Sequence, residues 1–385
     1  MDITRSIVSS SIHRVLNPRF VLILFGPRQS GKTTLAKKIV TTTKKRWLEL
    51  NGDDPETVEE LSKPTKTMLD SLIGSYEGFF LDEAQRIPEI GLTLKRIHDD
   101  RPDFPMLITG SSSLEIGDKT REALTGRVIA RTLYPISTSE LSNHWSPREQ
   151  NQHLEERLIF GSYPALWSLP GREEKIQYIK ELTSSYLYKD ILDLSGIRNP
   201  RKLRDLLRAL AYQVGNEVSF SELGSVCGLS TDTVIHYVDL LEKSFVLMRL
   251  GSFNRNLRNE ISTKSKIYFL DNGVRNALID DFRTLNQRND QGPLWENFLI
   301  MERTKENSYA ERTASSWFWR LVNGPEIDYI ESTEGRLDTY EFKWGRKTPK
   351  IPKAFSTAYP DHTFSVVSQE NWLEFAGGSH AFSPS

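Results

Sequence analysis

Gly26, Pro27, Arg28, Gln29, Ser30, Gly31, Lys32 and Thr33 spell G-x-x-x-x-G-K-T, with Thr34 next. Two glycines let a backbone curl until successive N–H groups face one point. A lysine at the end of the curl adds a positive charge, and the hydroxyl beside it is a hard ligand for Mg²⁺. That combination suits the β- and γ-phosphates of a nucleoside triphosphate, so ATP and Mg²⁺ are the expected cofactors. Such a loop needs an acid on a neighbouring strand, and Phe79, Phe80 and Leu81 run into Asp82 and Glu83. Asp82 is expected to hold Mg²⁺ with Thr33, and Glu83 to orient and polarise an attacking water. Ser111, Ser112 and Ser113, after the apolar run FPMLITG, are candidates for sensing the γ-phosphate; a plain serine-rich loop fits equally well. Arg127, just after a glycine, is a candidate for stabilising transferring charge, in cis or from a neighbouring subunit. An ordinary solvated arginine fits that spacing too.

A second constellation lies near the C-terminus, where PEIDYIES and TYEFKWG alternate in polarity on either side of Glu334 and Gly335. A hairpin turning on that pair sets Asp328 opposite Glu341, with side chains roughly 4.5–5.5 Å apart, and Lys343 diagonal to Asp328 and opposite Glu326. Opposed carboxylates repel, and a divalent cation between them removes the conflict. Lys343 is placed to neutralise a phosphoryl oxygen or orient a water. Asp328, Glu341 and Lys343 are therefore candidate catalytic residues, and the two acids candidate metal ligands. The plainer alternative is a surface ion pair between Glu326 and Lys343, with the two acids pointing into water. Acid, spacer, acid-x-Lys on a hairpin resembles the PD-(D/E)XK nucleases. That resemblance implies a contribution from an acid on the preceding helix, where Glu296 stands as a third candidate ligand; the proline that often precedes the first acid is replaced by Ile327.

The elements that must position these residues are legible in the pattern. RFVLILFG is a continuous apolar run before the glycine loop, and a helical pattern follows it: strand, loop, helix. The run ending at Asp82 reads as a buried parallel strand, whose C-terminal end is where ligands collect in open α/β sheets. After FGSYPALW the strand signals stop, and helices are expected from about Glu173 to Ser244. Within them, SFSELGSVCGLSTDTVIHYVDLLEKSFVLMRLGSF reads as helix, turn at Gly228, N-cap at Ser230, a second helix and a strand, the order of a winged helix-turn-helix. Its second helix would present Thr231, Thr233 and His236, but it also carries Asp232, Asp239 and Glu242. A basic cluster of Arg249, Arg255, Arg258, Lys264 and Lys266 around the expected wing could hold phosphates without reading sequence. A solvated packing module is the competing reading.

GPRQSGKTTL, FLDEAQ, LITGSSS, LTGRV with LYPIS, FGSYPALW, YLYKDI, YFLDNGVRNAL and LWENFLIME occur in that order. Together they resemble the prokaryotic AAA-family ATPases that carry a C-terminal domain of unknown function. The resemblance implies an α/β protein in three parts: an AAA-type P-loop domain with a parallel sheet over residues 1–170, a helical and winged-helix-like segment over 171–285, and a nuclease-like α/β domain over 286–385. ATP hydrolysis is the activity expected of the first part, and nucleic-acid binding, with metal-dependent cutting, of the others. The alternative is a nucleotide-dependent switch whose last two parts dock a protein.

Composition bounds these readings. The 385 residues are 38% hydrophobic and 26% charged, with a formal net charge of -1. That is the make-up of an ordinary globular protein and excludes a wholesale polycation, although a local basic face would not show in the total. One cysteine, Cys227, allows no intrachain disulfide, and its expected role is that of a small buried residue. FVLILFG is too short to span a bilayer, and no leader pattern precedes it. A cytoplasmic location is expected, with no membrane association; nucleic acid and further copies of the chain are the candidate partners.

Overall fold

The computed structural model describes residues 3–15, 19–111, 124–186, 199–254, 265–321, 324–346 and 349–378. Ser112, Ser113, Arg255, Arg258 and Lys264 lie outside the described residues. The chain divides into two compact units, one running to Pro135 and including Lys243–Phe245, the other formed by Ile136–Glu242 and the chain from Val246 onward. The first unit therefore stops well short of residue 170.

In the first unit, β1 (Val21–Phe25), β2 (Trp47–Asn51), β3 (Gly78–Asp82), β4 (Met106–Gly110) and β5 (Val128–Thr132) form a parallel sheet of order β2-β3-β4-β1-β5. β1, β3 and β4 are buried along their whole length. Strands covered on both faces must be apolar throughout, which is why these three read as continuous runs rather than alternating ones. The helix α1 (Lys32–Thr43) leaves the loop after β1. Because β4 lies between β1 and β3, the loop, the end of β4 and the acids after β3 meet along one edge of the sheet.

The second unit contains α2 (Pro200–Tyr212), β6 (Glu217–Val218), α3 (Phe220–Cys227), α4 (Thr231–Lys243), β7 (Leu247–Leu250) and β8 (Ser265–Phe269), the three strands pairing in the order β6-β8-β7. α5 (Asn272–Leu278) and α6 (Gln291–Tyr309) precede β9 (Ser315–Arg320), β10 (Glu326–Thr333) and β11 (Arg336–Phe342). A short helix, α7 (Lys353–Ala358), returns the chain to β12 (His362–Val367), and the sheet order is β12-β11-β10-β9. The β10–β11 turn falls where the alternation places it. Glu334 and Gly335 both have positive φ, at 52° and 88°, as a tight hairpin requires, and pairing runs from Thr333 with Arg336 to Tyr329 with Tyr340.

Three of the sequence motifs are spent on holding this unit together. The Ser162 N–H donates to Asp271 Oδ2 at 2.7 Å, Asn276 Nδ2 to the Leu158 carbonyl at 3.0 Å, and Asn297 Nδ2 to Asn272 Oδ1 at 2.6 Å. FGSYPALW, FLDNGVRNAL and LWENFLIME thus meet in one buried hydrogen-bonded network. Unpaired, each of these groups would pay its desolvation, so the network explains why FGSYPALW joins the second unit. No helix among the described residues is long and apolar enough to cross a membrane, and Cys227 is a buried free thiol.

Candidate functional site

The N-terminal site is assembled at the C-terminal ends of β1, β3 and β4. Gly26 is required by space as well as by its φ of 142°, because a Cβ there would lie 2.2 Å from the Leu133 carbonyl oxygen. Gly31 sits at the N-cap of α1 in the left-handed region, and no side chain caps the helix. The first N–H groups of α1, at Lys32, Thr33 and Thr34, have no intrahelical acceptor and face whatever lies before the helix. Lys32 is buried and donates to the carbonyls of Gly26 at 2.9 Å and Pro27 at 3.0 Å, which keeps its ammonium inside the curl formed with Arg28, Gln29 and Ser30. The Ser30 hydroxyl is fully buried with no hydrogen-bond partner among the described residues. An orphaned hydroxyl, a buried ammonium and an uncapped helix start fit a bound polyphosphate. The Thr33 hydroxyl donates to Asp82 Oδ2 at 2.8 Å, so two hard oxygen ligands from different elements converge as Mg²⁺ needs.

Three residues that sequence reasoning passed over or left open tie the acids to the sheet. Thr109, on β4, donates from its hydroxyl to Asp82 Oδ1 and accepts the Glu83 N–H at 3.2 Å. Gln85 donates to Glu83 Oε2 and, at 2.9 Å, to Ser111 Oγ, while its Oε1 accepts the Ser111 N–H at 3.3 Å. Glu83 has a φ of 50°, so its carboxylate is turned out of the strand line and held by Gln85. Arg5 reaches over the loop, donating to the Ser30 carbonyl at 2.7 Å and to that of Tyr134 at 2.5 Å. The Gln in FLDEAQ was a usable signal for Gln85; nothing in the sequence pointed to Arg5.

Arg127 is not part of this site. It precedes β5 at the opposite edge of the sheet, where its carbonyl accepts the Val21 N–H at 2.8 Å and its guanidinium pairs with Asp99 at the surface. β1 separates that edge from the loop by roughly 13 Å at about 3.3 Å per residue. Action in cis is excluded by that separation.

In the second unit the expected acids do come together, with two lysines and a tyrosine paired to them. Asp328 Oδ2 accepts the Phe342 N–H at 2.8 Å, and Lys343 lies 3.6 Å from Asp328 and 2.7 Å from Glu341. Glu296, on α6, is bound through Oε1 by Lys266 Nζ at 3.0 Å and by the Tyr268 hydroxyl at 2.5 Å. Lys266 and Tyr268 are two apart on β8 and so share a face. Glu326 does not meet Lys343; it stands across from Arg320, 3.6 Å away. Burial, reinforced by the charge of Asp328, outweighs Lys266 and pushes the Glu296 carboxyl up to about 7. Burial and Asp328 likewise raise Glu341 against the pull of Lys343. Lys266 and Lys343 are raised despite their burial, because each faces more than one acid. No group of three His, Cys, Asp or Glu side chains among the described residues is arranged to cage a metal, and Lys343 is within ion-pair reach of both Asp328 and Glu341.

Of the expected basic wing only Arg249 and Lys266 are among the described residues. Lys266 is 1% exposed and committed to Glu296, and the half-buried Arg249 is paired with Asp239 and Glu242, so Lys266 is no phosphate contact and Arg249 is already engaged with acids. On α4, Thr231 and His236 are exposed, as is Asp232, leaving that surface mixed in charge.

Comparison with known proteins divides the chain along similar lines. Residues 18–142 match the AAA domain model, residues 151–286 a domain of unknown function (DUF8612), and residues 291–383 another (DUF4143). An uncharacterized protein of Mycobacterium tuberculosis is 28% identical over 94% of this chain and 78% of its own length, and one of Methanocaldococcus jannaschii is 22% identical over 92% and 82%. Among solved structures, a Walker-type ATPase of Pyrococcus abyssi is similar over 72% of this chain and 96% of that one, at 16% identity and a TM-score of 0.49. Residues 18–142 are thus similar to AAA domains, and the rest of the chain is similar to two domains of unknown function.

Proposed function

We propose that the N-terminal unit binds ATP with Mg²⁺ and hydrolyses it. The observation that carries this is the 2.8 Å hydrogen bond from Thr33 to Asp82, which sets the hydroxyl of a phosphate loop against an acid on the neighbouring strand end. Lys32 and the N–H groups at the start of α1 would take the phosphate oxygens, with Ser30 supplying a further donor. Thr33 and Asp82 would hold Mg²⁺, which when bound neutralises phosphate charge. Glu83 would orient the attacking water and accept its proton, positioned by Gln85 and Thr109. Arg127, too distant to act in cis, would serve the site of an adjacent copy. Phosphate release by the purified chain tests this reading: Lys32→Ala, shown to be folded, is expected to abolish turnover, and a wild-type rate in that variant would overturn it.

For the second unit we propose metal-dependent chemistry on a nucleic-acid backbone, supported by the gathering of Asp328, Glu341, Lys343 and Glu296 around one end of β10 and β11. A divalent ion there would draw on Asp328 and Glu341, with Lys343 turned toward a phosphate. A second reading, docking of a protein partner by an inert cluster, is favoured by the ion pairs that already satisfy these groups. Stimulation of ATP turnover by DNA, and Mn²⁺-dependent cutting lost in Asp328→Ala, would separate the first from the second.

A further inference from the structure

A cavity of about 610 Å³ opens beside the C-terminal cluster, with Asn151, Gln152, Asn286, Gln291, Gln369 and Trp344 in its wall. Its chemistry is unlike that of the two sites above. Five carboxamides line it without a lysine or arginine, and its carboxylate, Glu155, is engaged with the Leu285 N–H at 3.0 Å. Gln152 and Gln369 are exposed, and no hydrogen bond from either side chain occurs among the described residues. Asn151 Oδ1 accepts the Trp372 indole N–H at 2.7 Å and Asn286 Oδ1 accepts the Thr284 hydroxyl at 2.6 Å, which leaves their amide N–H groups to face a ligand. Trp344 is half-buried and braced edge-on against Trp295, with ring centroids 5.5 Å apart. Trp295 in turn precedes Glu296, and Trp344 follows Lys343. The braced ring and the charged cluster are therefore carried by adjacent residues of the same two segments.

The carboxamides offer paired donors and acceptors, the wall has no cation for a phosphate, and an indole face offers stacking. Together they fit a nucleobase: bases splayed from a single strand are held by aromatic faces and by hydrogen bonds along their edges. Lys343 and Trp344 are consecutive, with Cα atoms about 3.8 Å apart, so a nucleotide meeting both need span only one residue step of the chain. We propose that this cavity is the base-binding subsite of the C-terminal unit, taking an unpaired base of single-stranded nucleic acid against Trp344 while its backbone lies toward Lys343. The proposal rests on the reading of the second unit as nucleic-acid binding.

Fluorescence anisotropy of the full chain with a labelled short oligo-dT, and with an abasic strand of the same length, tests it. Trp344→Ala is expected to weaken oligo-dT binding roughly tenfold, by the same factor at low and high salt, because stacking releases no counterions. It should leave the abasic strand unaffected. Gln152→Ala with Gln369→Ala, both exposed and so safe for folding, should weaken oligo-dT in the same salt-independent way. Lys343→Ala should instead lower the salt dependence for both strands. If the wild-type chain binds oligo-dT and neither the Trp344 nor the glutamine variant changes it, the subsite is overturned while the nucleic-acid reading stands. If the wild type prefers duplex or binds both strands alike, the subsite is also overturned. If it binds no nucleic acid, both readings fall.

Discussion

The phosphate loop and the C-terminal cluster use the same residue types, acids and a lysine beside strand ends, yet they are in opposite states of satisfaction. In the loop, Ser30 is buried without a partner among the described residues and α1 begins uncapped, which leaves donors open to an anion. In the cluster, Lys343 spans Asp328 and Glu341, and Lys266 with Tyr268 holds Glu296; every acid there already has a partner from the protein. A third cluster sets the scale. Glu302 lies on α6 with Glu296 and is the more deeply buried of the two, and it faces Arg157 at 3.0 Å, Lys305 at 2.6 Å and the Thr138 N–H at 2.6 Å. Despite its burial, those cations hold its carboxyl down at about 2, whereas Glu296, with acids for company, is pushed up to about 7. Two glutamates of one helix thus differ by the count of charges around them. One is a structural tie, and the other belongs to a group with more acid than its own lysines can answer.

The largest effect is expected from Glu302→Ala, which leaves Arg157 and Lys305 buried without their anion. A loss of about 3–5 kcal/mol follows, read from chemical denaturation of the second unit. Glu296→Ala should cost distinctly less, since Asp328 and Glu326 remain to hold Lys266; equal losses would break the contrast. The pH dependence has a definite sign. A carboxyl whose folded value is depressed stabilises the fold above its unfolded value of about 4.5 and loses that contribution as pH falls toward about 2. Glu302→Gln should therefore flatten the acid limb of the stability curve, and an unchanged limb would show that Glu302 is not its source.

In the N-terminal unit, Glu83→Gln keeps Thr33 and Asp82 but removes the base, so turnover should fall about a hundredfold to a thousandfold while ATP affinity holds. Equal loss of binding would mean that Glu83 shapes the site rather than acting in it. Arg127→Ala should lower turnover about a hundredfold with less effect on affinity, since an arginine on developing charge helps mainly in the transition state. Mixing it with the Lys32→Ala protein should restore part of the rate, because one copy then brings an intact loop and the other an intact arginine. A single variant with unchanged turnover would return Arg127 to its surface pair with Asp99.

Local spacing determined a good deal. The phosphate loop from Gly26 to Thr34, the buried strand into Asp82 and Glu83, and the turn at Glu334 and Gly335 follow from glycine placement, continuous apolar runs and alternation, all of which act over a few residues. Register then carried Asp328 to the vicinity of Glu341 and Lys343. What spacing could not decide was where distant elements meet. Arg127 follows the loop motif in sequence, but β5 pairs parallel to β1 with Val128 opposite Val21, which sets Arg127 at the strand end away from the loop, and that register is a property of the whole sheet. Lys266 reads as part of a solvent-facing wing, but pairing of β8 buries it on Glu296. Gln85, Thr109 and Arg5 carry no motif of their own, because their value lies in the group they reach. The sequence by itself determined which chemistries the chain could hold; only the tertiary structure decided which charges are left for a ligand, since burial and the count of neighbouring charges are set by all the elements that close around a group.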